Sequence, residues 1–133
     1  LYGGVNSGPG SAGAATGAVA RRTWRPPKGE PPASFKQHLT AALKATGYPT
    51  SWIQPMSELI ARESSWNPKA KNPTSTAHGY GQFLNSTRRD YERRYGIQYS
   101  TPVNQLILTL HYVRDRYGDP FKAIQFHNRN NWY

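Results

Sequence analysis

The chain has no cysteine and few acidic residues, and these two shortages limit the chemistry that it can perform. Zero cysteines exclude a disulfide framework and a metal site built on thiolates, while they leave the redox compartment open. Only 7 residues are Asp or Glu, against 17 Lys or Arg, so the net charge is +10 at pH 7. A site that needs two carboxylates therefore has few candidates, and the positive field attracts polyanions of any kind.

Long apolar runs are absent as well. The hydrophobic fraction is 36% and the mean hydropathy is −0.79, and no stretch reaches the roughly 20 apolar residues of a membrane-spanning helix. We therefore expect no membrane span and, at 133 residues, one domain with a modest core. The chain starts with Leu1 and shows no signal peptide with a basic start and an apolar middle, so we expect a mature or excised part of a longer protein.

The composition divides the chain into two parts. Residues 1–33 consist mostly of Gly, Ala, Ser and Pro with almost no apolar periodicity, and this predicts a flexible, disordered linker. Trp24 lies among arginines in this segment, either as an ordinary linker aromatic or as an anchor onto the domain. Residues 34–133 show helical patterns instead and are predicted to form the folded domain.

Helix start and stop signals recur along residues 34–133 and predict five helices. Ser34, then Thr50 or Ser51, and then Ser86 are expected to cap the first three helices, while Gly47 ends the first and Glu63 closes the second. Thr101-Pro102 and Asp119-Pro120 each combine a cap with a first-turn proline and begin the last two. No hairpin turn flanked by alternating residues occurs, so the predicted fold class is all-α.

Glu63 is the most informative residue, because it continues an apolar helical stripe. It follows Met56, Leu59 and Ile60 at the i, i+3, i+4 and i+7 positions, which lie on one face of a helix. Burial there should favour the neutral carboxyl and raise its pKa, which is the environment of a general acid. The alternative is a helix-end acid whose side chain turns to solvent.

A second catalytic carboxylate is hard to find. Glycoside hydrolases ordinarily use two carboxyl groups, one on each side of the bond. Glu58 lies five positions before Glu63 and so points to a different side of the helix. The remaining candidates in the domain sit in polar or capping settings: Asp90, Glu92, Asp115 and Asp119.

The residues after Glu63 carry a recognisable pattern. Three elements compose it: Glu63-Ser64 at a helix end, Asn67-Pro68-Lys69-Ala70, and Gly79-Tyr80-Gly81-Gln82. This pattern resembles the lytic transglycosylase and goose-type lysozyme superfamily over roughly residues 50–133, with His127-Asn128 at the place of the family's late Tyr-Asn element. Tyr80-Gly81 stands where the family has Leu-Met, and His127 stands where it has Tyr. The spacing from Asn72-Pro73 to Gly79 is similar to versions within phage tail tape-measure proteins and related secreted proteins.

The resemblance implies a lysozyme-like helical domain that cleaves the β-1,4 bond between N-acetylmuramic acid and N-acetylglucosamine in peptidoglycan. Glu63 would protonate the glycosidic oxygen and then, as carboxylate, take a proton from the sugar's own hydroxyl, while the substrate's N-acetyl group stabilises the intermediate. A muramidase that uses water instead stays open. No cofactor is implied, and the expected location is extracellular or virion-associated, at the bacterial cell wall.

The same resemblance indicates which residues contact the sugars. The candidate set is Ser64, Tyr80, Gly81, Gln82, His127 and Asn128. Each of them has a simpler alternative role. Ser64 either supports the site by hydrogen bonding or serves the helix end, and Tyr80 to Gln82 either contact the N-acetyl sugars or form an ordinary turn. His127 either donates a hydrogen bond near the acid or is an ordinary histidine at a helix end. The aromatic residues that line a sugar cleft or fill the core are Trp66, Tyr80, Phe83, Phe126, Trp132 and Tyr133.

Two other functions compete with a wall-cleaving enzyme. One is an inactive domain of the same fold that only binds wall glycan. The other is a nucleic-acid binder, suggested by the basic face through Arg88, Arg89, Arg93 and Arg94, although no helix-turn-helix or RNA-binding motif supports it. Anionic wall polymers would be attracted by the same charge. The four histidines show no metal-ligand spacing, so we expect no metal, and we expect the isolated domain to be a monomer.

Overall fold

The computed structural model describes residues 30–130, in which five α-helices and one 3₁₀ turn surround a shared core. The bounds are α1 Ala33–Thr46, the 3₁₀ turn Thr50–Trp52, α2 Ile53–Ser64, α3 Asn85–Tyr95, α4 Pro102–Tyr117 and α5 Pro120–Asn130. Between residues 30 and 130 the only β pairing consists of isolated bridges, so the all-α prediction is confirmed. Most of the predicted linker, with Trp24, and the terminal Trp132 and Tyr133 lie outside the described residues.

The helix α4 forms the centre of the domain. It contacts α1, α3 and α5. Its residues from Gln105 to Leu110 are buried without interruption, which is typical of a helix surrounded by protein on all sides. Leu106, Leu110 and Val113 form one buried stripe along the helix, but the buried surface is wider than this stripe, since Leu108 is also 0% exposed. Each such leucine contributes roughly 1.5–3 kcal/mol by leaving water.

The start signals of the last two helices are confirmed. Thr101 accepts a hydrogen bond from the Asn104 amide at 3.1 Å, and Asp119 accepts one from the Lys122 amide at 2.9 Å. Gly47 ends α1 with a φ of 80°, a left-handed conformation that glycine adopts at low cost.

The predicted caps of the first three helices are wrong. α1 begins before Ser34, after Pro32, whose fixed φ and missing N–H suit a helix start. Thr50 and Ser51 belong to a tight 3₁₀ turn, where the ring of buried Trp52 stacks at 4.8 Å on Tyr48. α3 begins before Ser86, because the amide of Asn85 already donates to the Thr76 hydroxyl at 3.0 Å. In each case the helix starts at a residue close to, but different from, the one that the capping signal predicts.

The stripe that leads to Glu63 is confirmed. Met56, Leu59 and Ile60 are each 0% exposed, and α2 also contacts α5. Pro55 lies in the first turn of α2, where a missing N–H breaks no intrahelical bond. The packing of this stripe therefore determines where the C-terminal end of α2, and with it Glu63, lies.

The segment between α2 and α3 has no regular structure, but α4 anchors it. The side chain of Gln105 accepts a hydrogen bond from the Tyr80 amide at 2.8 Å and donates one to the Pro68 carbonyl at 3.2 Å. Buried backbone groups need such partners, and Gln105 supplies two of them at once.

Gly81 packs directly on α4, which leads to a first prediction. A Cβ atom at position 81 would lie 2.4 Å from Oγ1 of Thr109, whose hydroxyl donates to the Gln105 carbonyl at 2.7 Å. We expect Gly81→Ala to lower the free energy of unfolding by about 1–3 kcal/mol, the usual cost of overpacking a core. Chemical denaturation measures the change.

A second substitution separates the clash from other effects. Thr109→Ala removes the opposing atoms, so it should recover much of the loss when combined with Gly81→Ala. Gly96→Ala is the control, because no atom lies within 4 Å of its Cβ position and only its φ of +66° is unfavourable. Equal losses with and without Thr109 would contradict the assignment.

Candidate active site

Glu63 occupies the last turn of α2 in a partly buried position. Burial raises the pKa of its carboxyl, in the direction that its place on the apolar stripe predicts. The next residue, Ser64, is buried, and its hydroxyl donates to the Ile60 carbonyl at 3.2 Å. Ser64 therefore serves the helix end, and its role toward a substrate stays a prediction.

The chain reverses direction immediately after Glu63 through two strained residues. Ser65 and Trp66 have φ values of 52° and 60°, in the left-handed region that costs a residue with a side chain about 1–2 kcal/mol. Hydrogen bonds hold this turn: the Ser65 amide donates to the Ala61 carbonyl at 3.0 Å, and the Trp66 indole donates to the Ser57 carbonyl at 2.9 Å. Such strain persists only where the surroundings impose it, and it is common at functional sites.

The Asn-Pro-Lys-Ala turn connects the end of α2 to the Gly-rich segment. Asn67 closes the turn through its side chain, which accepts a hydrogen bond from the Lys69 amide at 2.9 Å. The Ala70 carbonyl then accepts from the Gly79 amide at 2.8 Å and from the Gln82 side chain at 3.3 Å. The structure thus brings together all three elements of the sequence pattern.

The residues from Gly79 to Gln82 make their observed polar contacts inside the protein. Gln82 is 5% exposed and its amide also donates to the Gly79 carbonyl at 3.0 Å. The Gly81 amide donates to the Tyr99 hydroxyl at 3.3 Å, and the Tyr80 hydroxyl lies 2.8 Å from Nδ1 of His38. These contacts shape the segment, and the predicted sugar contacts of Tyr80, Gly81 and Gln82 stay predictions.

Two of the predicted aromatic residues are core residues. Tyr80 and Phe83 are 1% and 0% exposed, and the Phe83 ring stacks at 4.8 Å on Tyr99. Trp66 and Phe126 are partly buried.

Arg62, next to Glu63, brings the end of α5 to the end of α2. One terminal nitrogen of its guanidinium lies 2.7 Å from Nδ1 of His127 and donates to Oδ1 of Asn128 at 2.8 Å. The other terminal nitrogen pairs with Glu58. A guanidinium only donates, so Nδ1 of His127 is the acceptor, and a neutral imidazole then carries its proton on Nε2.

Sequence reasoning missed Arg62. The i, i+4 spacing of Glu58 and Arg62 indicates their ion pair, but no local signal indicates two partners on a helix that lies more than 60 positions later in the chain. The predicted pair His127 and Asn128 is therefore placed beside the residue that precedes Glu63.

Three tyrosines lie within reach of the charge of Glu63. Burial, and to a smaller extent this carboxylate, raises the pKa of Tyr99, Tyr112 and Tyr117, the last to about 12. All three phenols are therefore neutral at physiological pH. The acid has uncharged hydroxyl dipoles in its surroundings, together with the cationic Arg62 next to it in the chain.

Every other acidic side chain between residues 30 and 130 is engaged elsewhere. Glu30, Glu58, Glu92, Asp90 and Asp115 form ion pairs, and Asp119 caps α5. Within that range no group of three His, Asp or Glu residues could hold a metal ion, and no helix is long and apolar enough to cross a membrane. Glu63 is therefore the candidate acid, because burial raises its pKa.

Comparison with known proteins gives one match. A family model described as the transglycosylase SLT domain matches residues 41–125, well over half of the chain. No curated protein and no solved structure matches. The matched range runs from α1 into α5 and contains Glu63, the segment from Asn67 to Gln82 and all of α4, while His127 and Asn128 follow it.

The raised pKa of Glu63 predicts how stability responds to pH. The pKa of this carboxyl is higher in the folded state than in the unfolded state, where it is about 4.3. Its contribution to stability is therefore complete below the unfolded-state pKa and is lost as pH rises through the folded-state pKa. Gln does not titrate. We therefore expect Glu63→Gln to gain melting temperature relative to the unsubstituted protein between pH 4 and pH 7.

Thermal unfolding followed by circular dichroism at both pH values measures this difference. Glu30→Gln is the control, because this exposed acid has only a surface pair with Lys36 and its substitution should change little. A melting-temperature difference for Glu63→Gln that stays constant from pH 4 to pH 7 would show that burial does not act on this carboxyl.

Proposed function

Because this chain belongs to the transglycosylase SLT domain family, whose function is lytic-transglycosylase-like cleavage of peptidoglycan, we propose that Glu63 is its catalytic acid and base. The bond is the β-1,4 linkage between N-acetylmuramic acid and N-acetylglucosamine. One observation carries the proposal: burial at the end of the apolar stripe of α2 raises the pKa of Glu63, which favours the protonated form that a general acid needs.

A single carboxyl group is sufficient for the proposed reaction. Protonated Glu63 donates its proton to the glycosidic oxygen as the bond from the muramic C1 to that oxygen breaks. The substrate's own N-acetyl carbonyl stabilises the positive charge that develops at C1. The carboxylate of Glu63 then takes the proton of the muramic 6-hydroxyl, whose oxygen bonds to C1, so that an anhydro sugar forms and Glu63 is protonated again.

Arg62 and His127 support this chemistry in our proposal. The contact of Arg62 with Nδ1 of His127 holds the imidazole at the end of α5 beside the end of α2, which supports its proposed contact with the substrate. Asn128, exposed on the same end of α5, is a second candidate for sugar contact. Ser64, Tyr80, Gly81 and Gln82 would act by shaping the segment opposite.

The location follows from the substrate. We propose that the protein acts outside the bacterial cytoplasm, as a secreted or phage-tail protein at the cell wall. The similar spacing from Asn72 to Gly79 in tape-measure proteins supports this proposal, and so does the net charge of +10, which attracts anionic wall polymers.

Glu63→Gln tests the catalytic role directly. Gln keeps the volume and polarity of the side chain but has no proton to transfer, so we expect the rate of cleavage to fall by at least ~10²–10⁴-fold while binding to purified peptidoglycan stays close to normal. Turbidity loss of cell walls measures the rate, with Glu30→Gln as the matched control.

Mass spectrometry of the released fragments identifies the reaction. Anhydro-muramic ends indicate the transglycosylase reaction, and reducing ends indicate a hydrolase that uses water. If the unsubstituted protein leaves the glycan intact, the function that remains is binding to the wall. Unchanged lysis by Glu63→Gln would exclude Glu63 as the catalytic acid.

The charge of α3 leads to a separate prediction about wall binding. Arg88 and Arg94 pair with Glu92 and Asp90, whereas Arg89 and Arg93 are exposed and form no ion pair within residues 30–130. We expect Arg89→Gln with Arg93→Gln to weaken binding to whole walls roughly two- to tenfold at low salt, because each exposed charge contributes up to about 1 kcal/mol.

Sedimentation of the protein with whole walls at increasing salt measures this effect. Binding should weaken as salt screens the exposed charges, and the double variant should respond less to salt. Cleavage of short soluble glycans should hardly change. If the double variant instead loses tight, sequence-selective binding to a nucleic acid, the charge serves a different partner.

A further inference from the structure

An apolar groove lies between the starts of α2 and α5. Between residues 30 and 130 the large apolar side chains that are exposed are Ile53, at the start of α2, and Phe121, at the start of α5, with exposed fractions of 41% and 53%. The groove has a volume of about 420 Å³, and Pro55, Phe121 and Ile124 form its apolar lining. Single exposed apolar residues are common on a protein surface, whereas several along one groove mark a place where a partner binds.

A second cavity continues this groove along α2. It has a volume of about 490 Å³, contains the exposed Ile53, and shares Ser51 and Gln54 with the groove. Glu30 and Pro31 also line it, and they are the first residues that the structure describes. The N-terminal part of the chain therefore joins the domain beside the groove.

The groove and the candidate active site lie at opposite ends of α2 and α5. Gln54 and Phe121, near the two helix starts, line the groove together, whereas Arg62 contacts His127 near the two helix ends. The helices therefore run side by side in the same direction, and the start of α2 is about 15 Å from its end. An occupant of the groove would hold the two helix starts together without covering Glu63.

The charge of the groove differs from that of the chain as a whole. The net charge is +10, yet none of the described residues that line the groove is basic. The charged residue in the lining is Glu58, which pairs with Arg62 and still keeps 44% of its side chain exposed. An anionic wall polymer finds no cationic partner here, whereas a basic segment with an apolar ring meets no repulsion.

The chain itself carries a segment of this chemistry close to the groove. Trp24 lies between Arg22 and Arg25, outside the described residues, and six positions before Glu30. Six residues span at most about 20 Å. Packed helices lie only about 8–10 Å apart, so this length of chain is sufficient to bring Trp24 from the second cavity to Phe121.

We propose that the segment around Trp24 docks in this groove, with its indole ring against Phe121 and Ile124. The driving force is the burial of the indole ring together with the apolar lining, and the cost is the ordering of the chain that leads to it. Pro26-Pro27 lowers this cost, because proline restricts the undocked chain as well. Trp24 thereby anchors the segment onto the domain, and this inference does not depend on the proposed function.

A double-mutant cycle on the melting temperature of the full chain tests this contact. Phe121 is 53% exposed, so Phe121→Ala should change little if nothing docks on it. With Trp24 docked, we expect Trp24→Ala and Phe121→Ala each to lower the melting temperature by roughly 4–8 °C, the effect of a modest loss of packing in a domain of about 100 residues. The double variant should lose no more than the larger single loss, because both substitutions remove the same contact.

Fluorine NMR of the same chain reports on Trp24 directly. Fluorotryptophan labels the 4 tryptophans, and Trp24→Phe identifies the signal of Trp24. We expect this signal to shift little between light and heavy water, as for a buried ring, and Phe121→Ala to increase the shift to that of an exposed ring. Trp132→Ala is the matched control in the melting experiment. Trp132 follows the end of α5 that lies away from the groove, so this substitution should not couple to Phe121→Ala.

Each remaining outcome would overturn the inference in a different way. Additive losses for Trp24→Ala and Phe121→Ala would show that the two side chains do not meet, and a Trp24 signal typical of an exposed ring would show that the segment does not dock. Coupling of Phe121→Ala to Trp132→Ala would assign the groove to the C-terminal residues. A dimer in sedimentation velocity, together with a Phe121→Ala loss that grows with protein concentration, would assign the groove to a second copy of the chain.

Discussion

The burial of α4 on nearly all of its sides is the constraint on which the rest of the domain depends. A polar side chain on such a buried helix is stable only where a neighbouring segment supplies its hydrogen-bond partners. Gln105 does so by bonding the backbone at Pro68 and Tyr80, and Thr109 leaves room for nothing larger than glycine at position 81. The irregular segment after Glu63 is therefore placed by the core helix rather than by its own local structure.

Burial also acts on Glu63, at the end of the apolar stripe of α2. A carboxyl at the end of an apolar stripe loses hydration, and burial raises its pKa. The remaining acidic side chains of residues 30–130 lie where arginines or a helix start stabilise their charge. The burial of Glu63 thus supports the proposed role of this acid in proton transfer, in a chain with only 7 acidic residues.

Much of this arrangement could be predicted from the sequence, because it depends on local spacing. The stripe through Met56, Leu59 and Ile60 places Glu63, and Thr101 with Pro102 marks the start of α4. What could not be predicted depends on contacts between distant residues. No periodicity in the sequence indicates that Arg62 contacts His127 or that Gln105 anchors the segment before α3.

The two departures from the family pattern have physical partners in this chain. Gly81, where the family has a larger residue, lies against Thr109 of α4, so the small residue and the branched hydroxyl depend on each other. His127, at the position where the sequence resemblance places the family's tyrosine, lies against Arg62, and Nδ1 of the imidazole accepts from the guanidinium. Each departure is therefore accommodated by a second residue, and restoring the family residue at position 81 alone would create a clash.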